Sequence, residues 1–347
     1  VQRPPTIEQV AARAGVSRGT VSRVLNGDRG VSARRVEAVR TAVDELGYVP
    51  NRAARSLVTR RADAVALVFG GSPEGVLGHE FFARVVRGAH RVLADNDLQA
   101  VLVTWEEDAG RPAAERFLTA GHVDGALLLG LDMDDPLPAR LAGLGVPAVA
   151  AGRSGGAASV VDVDNRGGAR SAVDHLVAGG RRVVGTVAGR LTAAVGADRL
   201  AGWSEGLAAA GLEHGDDLVA VADFSRLAAR DAVRALVERR PDLDAVFVAS
   251  DPMAVSTLSE LRRLGRRVPD DVAVVGFDGS VEGELADPPL TSVCQPLEEL
   301  GALLASRLVA DPALGRRPPA PDGSAPAPAR LLGTHLVVRA SSAPRAT

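Results

Sequence analysis

From Ala64 onward the chain alternates short, wholly apolar runs with longer amphipathic stretches, and no other feature of the sequence narrows the possible folds so far. AVALVF (64–69), QAVLVTW (99–105), GALLLG (125–130) and PAVAA (147–151) form one series; RVVGTVAG (182–189), AVFVAS (245–250) and VAVVGFD (272–278) form a second. A strand with one wet face alternates apolar and polar residues. Runs that are apolar throughout therefore describe strands covered on both faces, as parallel strands are when helices flank the sheet. Helical spacing near 80–95, 111–121, 166–179, 198–211, 226–240 and 252–265 supplies those covers. At 347 residues the chain exceeds what a single core usually holds. Two doubly wound α/β lobes fit. A Pro-rich stretch at 315–328 reads as an exposed loop, and RLLGTHLVVR after it reads as a last strand.

The front of the chain follows a different period. Residues 6–47 predict three short helices: Thr6 caps the first with Gln9 in a capping box, and Gly15 stops it. Ser17 caps a second helix with Val21, Val24 and Leu25 inward and Arg18, Gly19 and Arg23 outward, ended by NGDRG. Ser32 caps a third, which carries Val36, Val39, Val43 and Leu46 and ends at Gly47. Pro50 interrupts the chain, and 51–61 holds too few apolar residues to form a stable helix alone. Residues 1–61 hold 12 Arg and 5 Asp or Glu, a charge of +7, which leaves −10 for the rest of a chain whose net charge is −3. The two parts are built for different partners.

Composition excludes several function classes. Hydrophobic content of 46% and charged content of 24% are those of a globular protein, and no apolar run approaches the ~20 residues that span a bilayer. VQRPPTIEQV lacks the apolar core of a secretion signal, so a cytoplasmic location is expected. The single cysteine, Cys294, permits no internal disulfide and no cysteine-rich zinc pattern, and the six histidines are scattered. All 40 basic residues are Arg, so the Gly-rich GGSPEG after the first strand lacks the lysine of a phosphate-binding loop and reads as cleft lining. GRSGG at 152–156 matches a nucleophile-elbow pattern, but the residues after it read as a strand where that motif needs a helix. No cofactor, no metal and no catalytic constellation is expected.

A capped helix, a glycine turn and a second helix with outward arginines is the spacing of a helix-turn-helix, whose second helix enters the major groove of DNA. The segments TIEQVAARAGVSRGTVSRVLNG and VSARRVEAVRTAVDELGYVPNRAARSL resemble the LacI/GalR (lactose-repressor) family of bacterial transcription regulators nearly position for position. VDVDNRGG, DRLAGW, ASDPMA, VAVVGFD and PPLTSVCQP extend the likeness in order over almost the whole chain. The resemblance implies a helix-turn-helix domain at 1–50, a hinge at 51–61, and an effector domain built like periplasmic sugar-binding proteins. One lobe would hold 62–162 and 294–329, the other 163–293 and 330–341. It implies that Ser17, Arg18, Gly19 and Arg23 open and line the recognition helix, with Arg18 and Arg23 able to fork onto guanine. Gly19 departs from the polar residue usual there, so one base step is read weakly, or not by a side chain at all. Thr6, Ser17, Thr20 and Asn26 suit phosphates or caps. In NRAARSLV the resemblance makes Leu57 a minor-groove wedge, flanked by Arg52 and Arg55.

In the effector domain the resemblance places Phe82, Arg199, Phe224, Ser250 and Asp278 around a cleft, with Arg153, Asp162 and Asp164 as secondary candidates near the lobe crossing. Ser250 stands where sugar binders of the family often carry Asn or Asp. The implied protein is a ligand-controlled repressor on a pseudo-palindromic operator, its partners double-stranded DNA and a small molecule of the sugar class, with no membrane. The residues after the last strand, ASSAPRAT, show no leucine heptad, so a homodimer is expected over a tetramer. A solute-binding protein or carbohydrate enzyme with an incidental helical front is the alternative.

Overall fold

The computed structural model describes residues 5–25, 30–48, 61–70, 80–105, 107–156, 159–314 and 331–343. The chain divides into two compact units, Val1–Ala62 and Asp63–Thr347. In the first, helices α1 (Ile7–Ala14), α2 (Arg18–Leu25) and α3 (Ala33–Leu46) close over Val10, Ala11, Val21, Val39 and Ala42. The capping box forms: Thr6 N donates to Gln9 Oε1 (2.8 Å) and Gln9 N to Thr6 Oγ1 (3.4 Å). Gly15 takes φ 65°, which lets the chain reverse into α2. Ser32 has the extended backbone of a cap but its side chain makes no capping bond, so α3 starts on packing alone.

Among the described residues the second unit contains twelve strands in chain order: β1 (Ala64–Phe69), β2 (Gln99–Thr104), β3 (Gly125–Leu129), β4 (Ala148–Ala151), β5 (Ser159–Val163), β6 (Val184–Ala188), β7 (Val219–Val221), β8 (Ala245–Val248), β9 (Ala273–Asp278), β10 (Thr291–Cys294), β11 (Leu331–Leu332) and β12 (His335–Val337). They form two six-stranded sheets, ordered β11-β5-β4-β3-β1-β2 and β12-β10-β9-β8-β6-β7. All neighbours pair in parallel except β12, which runs antiparallel to β10. The apolar runs are central strands: every residue of β1, β3, β6, β8 and β9 is buried.

The closing stretch differs from the expectation. RLLGTHLVVR is two strands, β11 on the first sheet against Asp162 and Val163, and β12 on the second against β10. The assignment of 330–341 to one lobe is corrected accordingly, as is that of residue 294, which ends β10 in the second sheet. Gly333 and Thr334 break the strand, and a pair of leucines carries no periodicity that tells which sheet edge it will meet. The chain thus crosses between lobes at 163–165, 294–297 and 332–335.

The covering helices are α4 (Glu80–Asp95), α5 (Glu107–Thr119), α6 (Leu137–Gly143), α7 (Asn165–Ala178), α8 (Ala194–Ala209), α9 (Arg226–Arg239), α10 (Asp251–Arg263), the short α11 (Val281–Glu284) and α12 (Leu297–Ala310). The sequence reading missed α6, α11, α12, β7 and β10. α12 is LEELGALLASRLVA, whose buried residues Leu297, Leu300, Gly301, Leu304, Ala305, Leu308 and Val309 recur at i, i+3, i+4 and i+7, so its helical period was present in the sequence and was overlooked. It packs on α4 at backbone contact: a Cβ on Gly88 would stand 1.9 Å from Glu298 O, and one on Gly301 2.0 Å from Val85 O. Around that crossing Leu93, Leu297, Leu300, Leu304 and Leu308 fill the first core. Trp203, 1% exposed, anchors the second and donates to Val184 O (3.2 Å). No helix among the described residues is long and apolar enough to cross a membrane.

Candidate functional site

In the first unit the outer face of α2 carries Arg18, Gly19 and Arg23, all exposed. Arg18 lies 3.4 Å from Glu8 Oε1 with 73% of its side chain exposed, an ion pair weak enough to exchange for another anion. Arg23 Nε donates to Gly19 O (3.4 Å). A Cβ on Gly19 would meet only Ser17 Oγ, at 3.9 Å, so nothing in the fold requires glycine there. Ser17 and Thr20 have structural work: Thr20 N donates to Ser17 Oγ (3.2 Å), the hydroxyls lie 3.0 Å apart, and Thr20 is 7% exposed. Thr6 is held in its capping box. Asn26, Arg52, Arg55 and Leu57 lie outside the described residues.

The second unit encloses a cavity of about 390 Å³. Its lining comes from the carboxyl ends of strands in both sheets: Gly70 follows β1, Gly130 follows β3, Arg153 follows β4 and Asp162 nears the end of β5. From the other sheet Arg190 follows β6, Asp223 and Phe224 follow β7, Ser250 follows β8, Asp278 ends β9 and Gln295 follows β10. Ligands of open α/β sheets sit at these ends because adjacent loops diverge there and leave a crevice. All five sequence-derived residues, Phe82, Arg199, Phe224, Ser250 and Asp278, line this one cavity, as do Arg153 and Asp162. Asp164 does not; it caps α7, accepting from Gly167 N (2.8 Å). Arg190, Asp223, Asn165 and Gln295 were missed, though the first two carry the signal of a polar side chain directly after an apolar run.

Arg199 is 4% exposed and lies in the second turn of α8, which begins four residues earlier than the spacing suggested. Its Nε donates to Asn165 Oδ1 (2.9 Å), its Nη1 donates to Ala249 O and lies 3.5 Å from Asp278 Oδ1, and its guanidinium stacks 3.7 Å over the Phe277 ring. Burial pushes the Arg199 pKa down, against the pull of Asp278, Asp162 and Asp251. Burial likewise pushes the Asp278 carboxyl up; Arg199 opposes that and the Asp251 charge adds to it. Gln295 Nε2 donates to Asp278 Oδ1 (2.7 Å), and Asp278 sits at φ 123°, a strained turn fixed by the packing around it. The rings have firm seats. Phe82 meets Phe69 and Phe81 edge to face (4.8 and 5.0 Å), and Phe224, at φ 72°, lies on Gly189, where a Cβ would stand 2.1 Å from its Cζ.

Ser250 is the informative member. It is 5% exposed and holds the N-cap position of α10, yet its hydroxyl does not cap the helix and has no hydrogen-bond partner among the described residues. A buried hydroxyl without a partner costs free energy unless something in the cavity bonds it. Ser250→Ala is therefore expected to leave thermal stability unchanged or slightly raised, against the loss of about 1 kcal/mol usual for a capping serine, while weakening the effector by about fivefold. Denaturant melts and calorimetric titration check this; a clear loss of stability would mean that the hydroxyl already serves the fold.

Residues 6–51 match the lacI family of bacterial regulatory proteins, and 173–342 match the periplasmic binding protein-like domain. Over 345 residues the chain is 47% identical to the HTH-type transcriptional regulator CelR of Thermobifida fusca, across 98% of this chain and 99% of that protein. The chain belongs to the LacI family. It is a DNA-binding transcriptional regulator, and its architecture is the helix-turn-helix plus two-lobed body of that family. Among solved structures, a complex of the regulator CelR with cellobiose aligns with a TM-score of 0.75 at 45% identity, covering 97% of this chain and 99% of that one. The lac repressor dimer bound to operator and the anti-inducer ONPF aligns at 0.83 with 28% identity, covering 98% and 100%. Both relatives of the LacI family are regulators, not enzymes, in name and in what they bind.

Proposed function

We propose that this LacI-family regulator is a repressor whose effector is cellobiose or a closely similar neutral disaccharide, bound in the cavity between the lobes. The observation that carries the reading is the likeness, along nearly the whole chain at 45% identity, to a regulator solved with cellobiose. The cavity supports it: about 390 Å³ is disaccharide-sized, with aromatic rings for the apolar faces of the sugar and Arg199, Asp278 and Ser250 for its hydroxyls. We take the site as a binding site only, without catalysis, in a cytoplasmic protein. For the DNA side, Arg18 and Arg23 read base edges, Thr6, Ser17, Thr20 and Asn26 order the module or meet phosphates, and Leu57 between Arg52 and Arg55 wedges the minor groove. Two such modules, about 34 Å apart on a pseudo-palindrome, require a homodimer. The working division is a DNA-reading domain at 1–50, a hinge at 51–61, and two lobes whose boundaries follow the sheets, at 163–165, 294–297 and 332–335.

Calorimetric titration of the full chain with cellobiose, followed by fluorescence anisotropy on its operator, tests this. One disaccharide per chain and a change in operator affinity of at least about tenfold are expected, within the usual range of coupling between sites. No binding of cellobiose or of any closely similar neutral disaccharide, or binding with no effect on the operator, would sink it.

A further inference from the structure

The charges lining the cavity are unevenly spent. Each of its arginines is committed within the protein. Arg153 grips Asp198 across the lobes with two bonds (2.9 and 2.8 Å), and Arg199 is held by Asn165, Ala249 and Asp278. Arg190 reaches from the second lobe to the first, donating from Nη2 to Gly130 O (2.9 Å) with its Nε 2.9 Å from Asp132 Oδ1. Asp198, Asp278 and Asp132 thus neutralise the three cations. Two lining carboxylates remain, Asp162 and Asp223, and among the described residues no arginine lies within ion-pair distance of either. Asp162 Oδ1 accepts from Val163 N (2.8 Å) and Asn165 Nδ2 (3.1 Å); Asp223 Oδ1 accepts from Ser225 N (2.9 Å). Among the described residues the bonds to Asp162 fall on Oδ1 and leave Oδ2 open to a ligand; Asp223 takes a further bond from the Ser225 side chain, and as a carboxylate still has lone pairs to offer. Burial raises the Asp162 carboxyl, with the Val163 amide and the Arg153 and Arg199 charges opposing it; for Asp223 the bonds from Ser225 and its own backbone, together with the Arg190 charge, outweigh burial and hold it below the usual carboxylate range.

Resting on the reading of this cavity as the effector site, we propose that its surplus negative charge admits uncharged or cationic sugars and excludes phosphorylated and carboxylated ones, with Asp162 and Asp223 setting the discrimination. A neutral hydroxyl donates to a carboxylate and gains a charge-assisted bond. An anionic group finds no free guanidinium fork, and recruiting Arg153 or Arg190 breaks a bond that ties the lobes together. It also faces both carboxylates. At an effective dielectric of about 20, one carboxylate about 7 Å from an added anion weakens it by on the order of fiftyfold.

The test uses the full-length chain and three β-1,4-linked disaccharides titrated by calorimetry: cellobiose, glucuronosyl-glucose and the glucosamine dimer. Glucose and cellotriose, each with its 6-phosphate, complete the panel. The neutral and amino sugars are expected to bind, and the uronate and phosphates to bind at least about thirtyfold more weakly than their neutral parents. In Asp162→Asn/Asp223→Asn, each change isosteric, that ratio is expected to fall at least fivefold even though neutral sugars also bind less well. An anionic member binding within threefold of its parent overturns the inference, as does a ratio unmoved in the double variant. If cellobiose fails while another neutral or amino sugar binds with the expected ratio, the cellobiose reading falls and the charge selection stands; if no member binds, both fall.

Discussion

Arg199→Ala is expected to abolish effector binding and to cost the ligand-binding unit about 3–5 kcal/mol of stability, because it strands Asp278 as a buried, uncompensated carboxylate. The geometry gives both effects: Arg199 is 4% exposed, stacked on Phe277 and tied to Asn165 and Ala249, so it supports the wall of the cavity as well as lining it. The two roles separate in a second variant. Arg199→Leu with Asp278→Asn removes both charges, leaves no unpaired ion, and is expected to recover at least about 2 kcal/mol relative to Arg199→Ala. Effector binding is not expected to return. Urea melts measure the first quantity and calorimetric titration the second. A double variant that regained both would make the pair a structural fixture, and wild-type affinity in Arg199→Ala would remove the cavity as the effector site. Because an effector shifts a conformational equilibrium only by its differential affinity for the two states, loss of binding also silences the operator response.

Arg18→Ala is expected to lose about 1–3 kcal/mol of operator affinity and to relax preference at one symmetric pair of base positions. Its side chain is 73% exposed and its ion pair among the described residues is with Glu8, itself 59% exposed, so the fold of the first unit should hardly change. Selection of sites from a random DNA pool by wild type and variant reads the outcome position by position. A uniform loss across all sequences would assign Arg18 to phosphate. Gly19 supplies an internal contrast: with open space around it, Gly19→Gln is sterically admissible and is expected to sharpen preference at a neighbouring step that wild type leaves weakly read.

Much of this was legible from local chemistry. The capping box at Thr6, the reversal at Gly15 and the exposed row of Arg18, Gly19 and Arg23 follow from spacing, since a three-helix module of this size is governed by caps and one apolar stripe. The central strands were legible because burial on both faces writes itself as an unbroken apolar run. The cavity residues were legible only in part. Phe82, Arg199, Phe224, Ser250 and Asp278 came from likeness to a family, whereas Arg190 and Gln295 have roles set by where their neighbours end.

By itself the sequence determined the two periods of the chain, the basic front and acidic body, and the strands at whose carboxyl ends a ligand would sit. The tertiary structure alone decided which sheet each half of RLLGTHLVVR joins, that α12 presses backbone to backbone on α4 through Gly88 and Gly301, and which cavity charges are already paired. The division has a physical cause. Periodicity and caps act within a few residues of one another, but strand order, close helix approach and ion pairing are fixed between residues far apart in sequence: Arg190 and Asp132, or Arg153 and Asp198, carry no mark of their partner until the lobes close around the cavity.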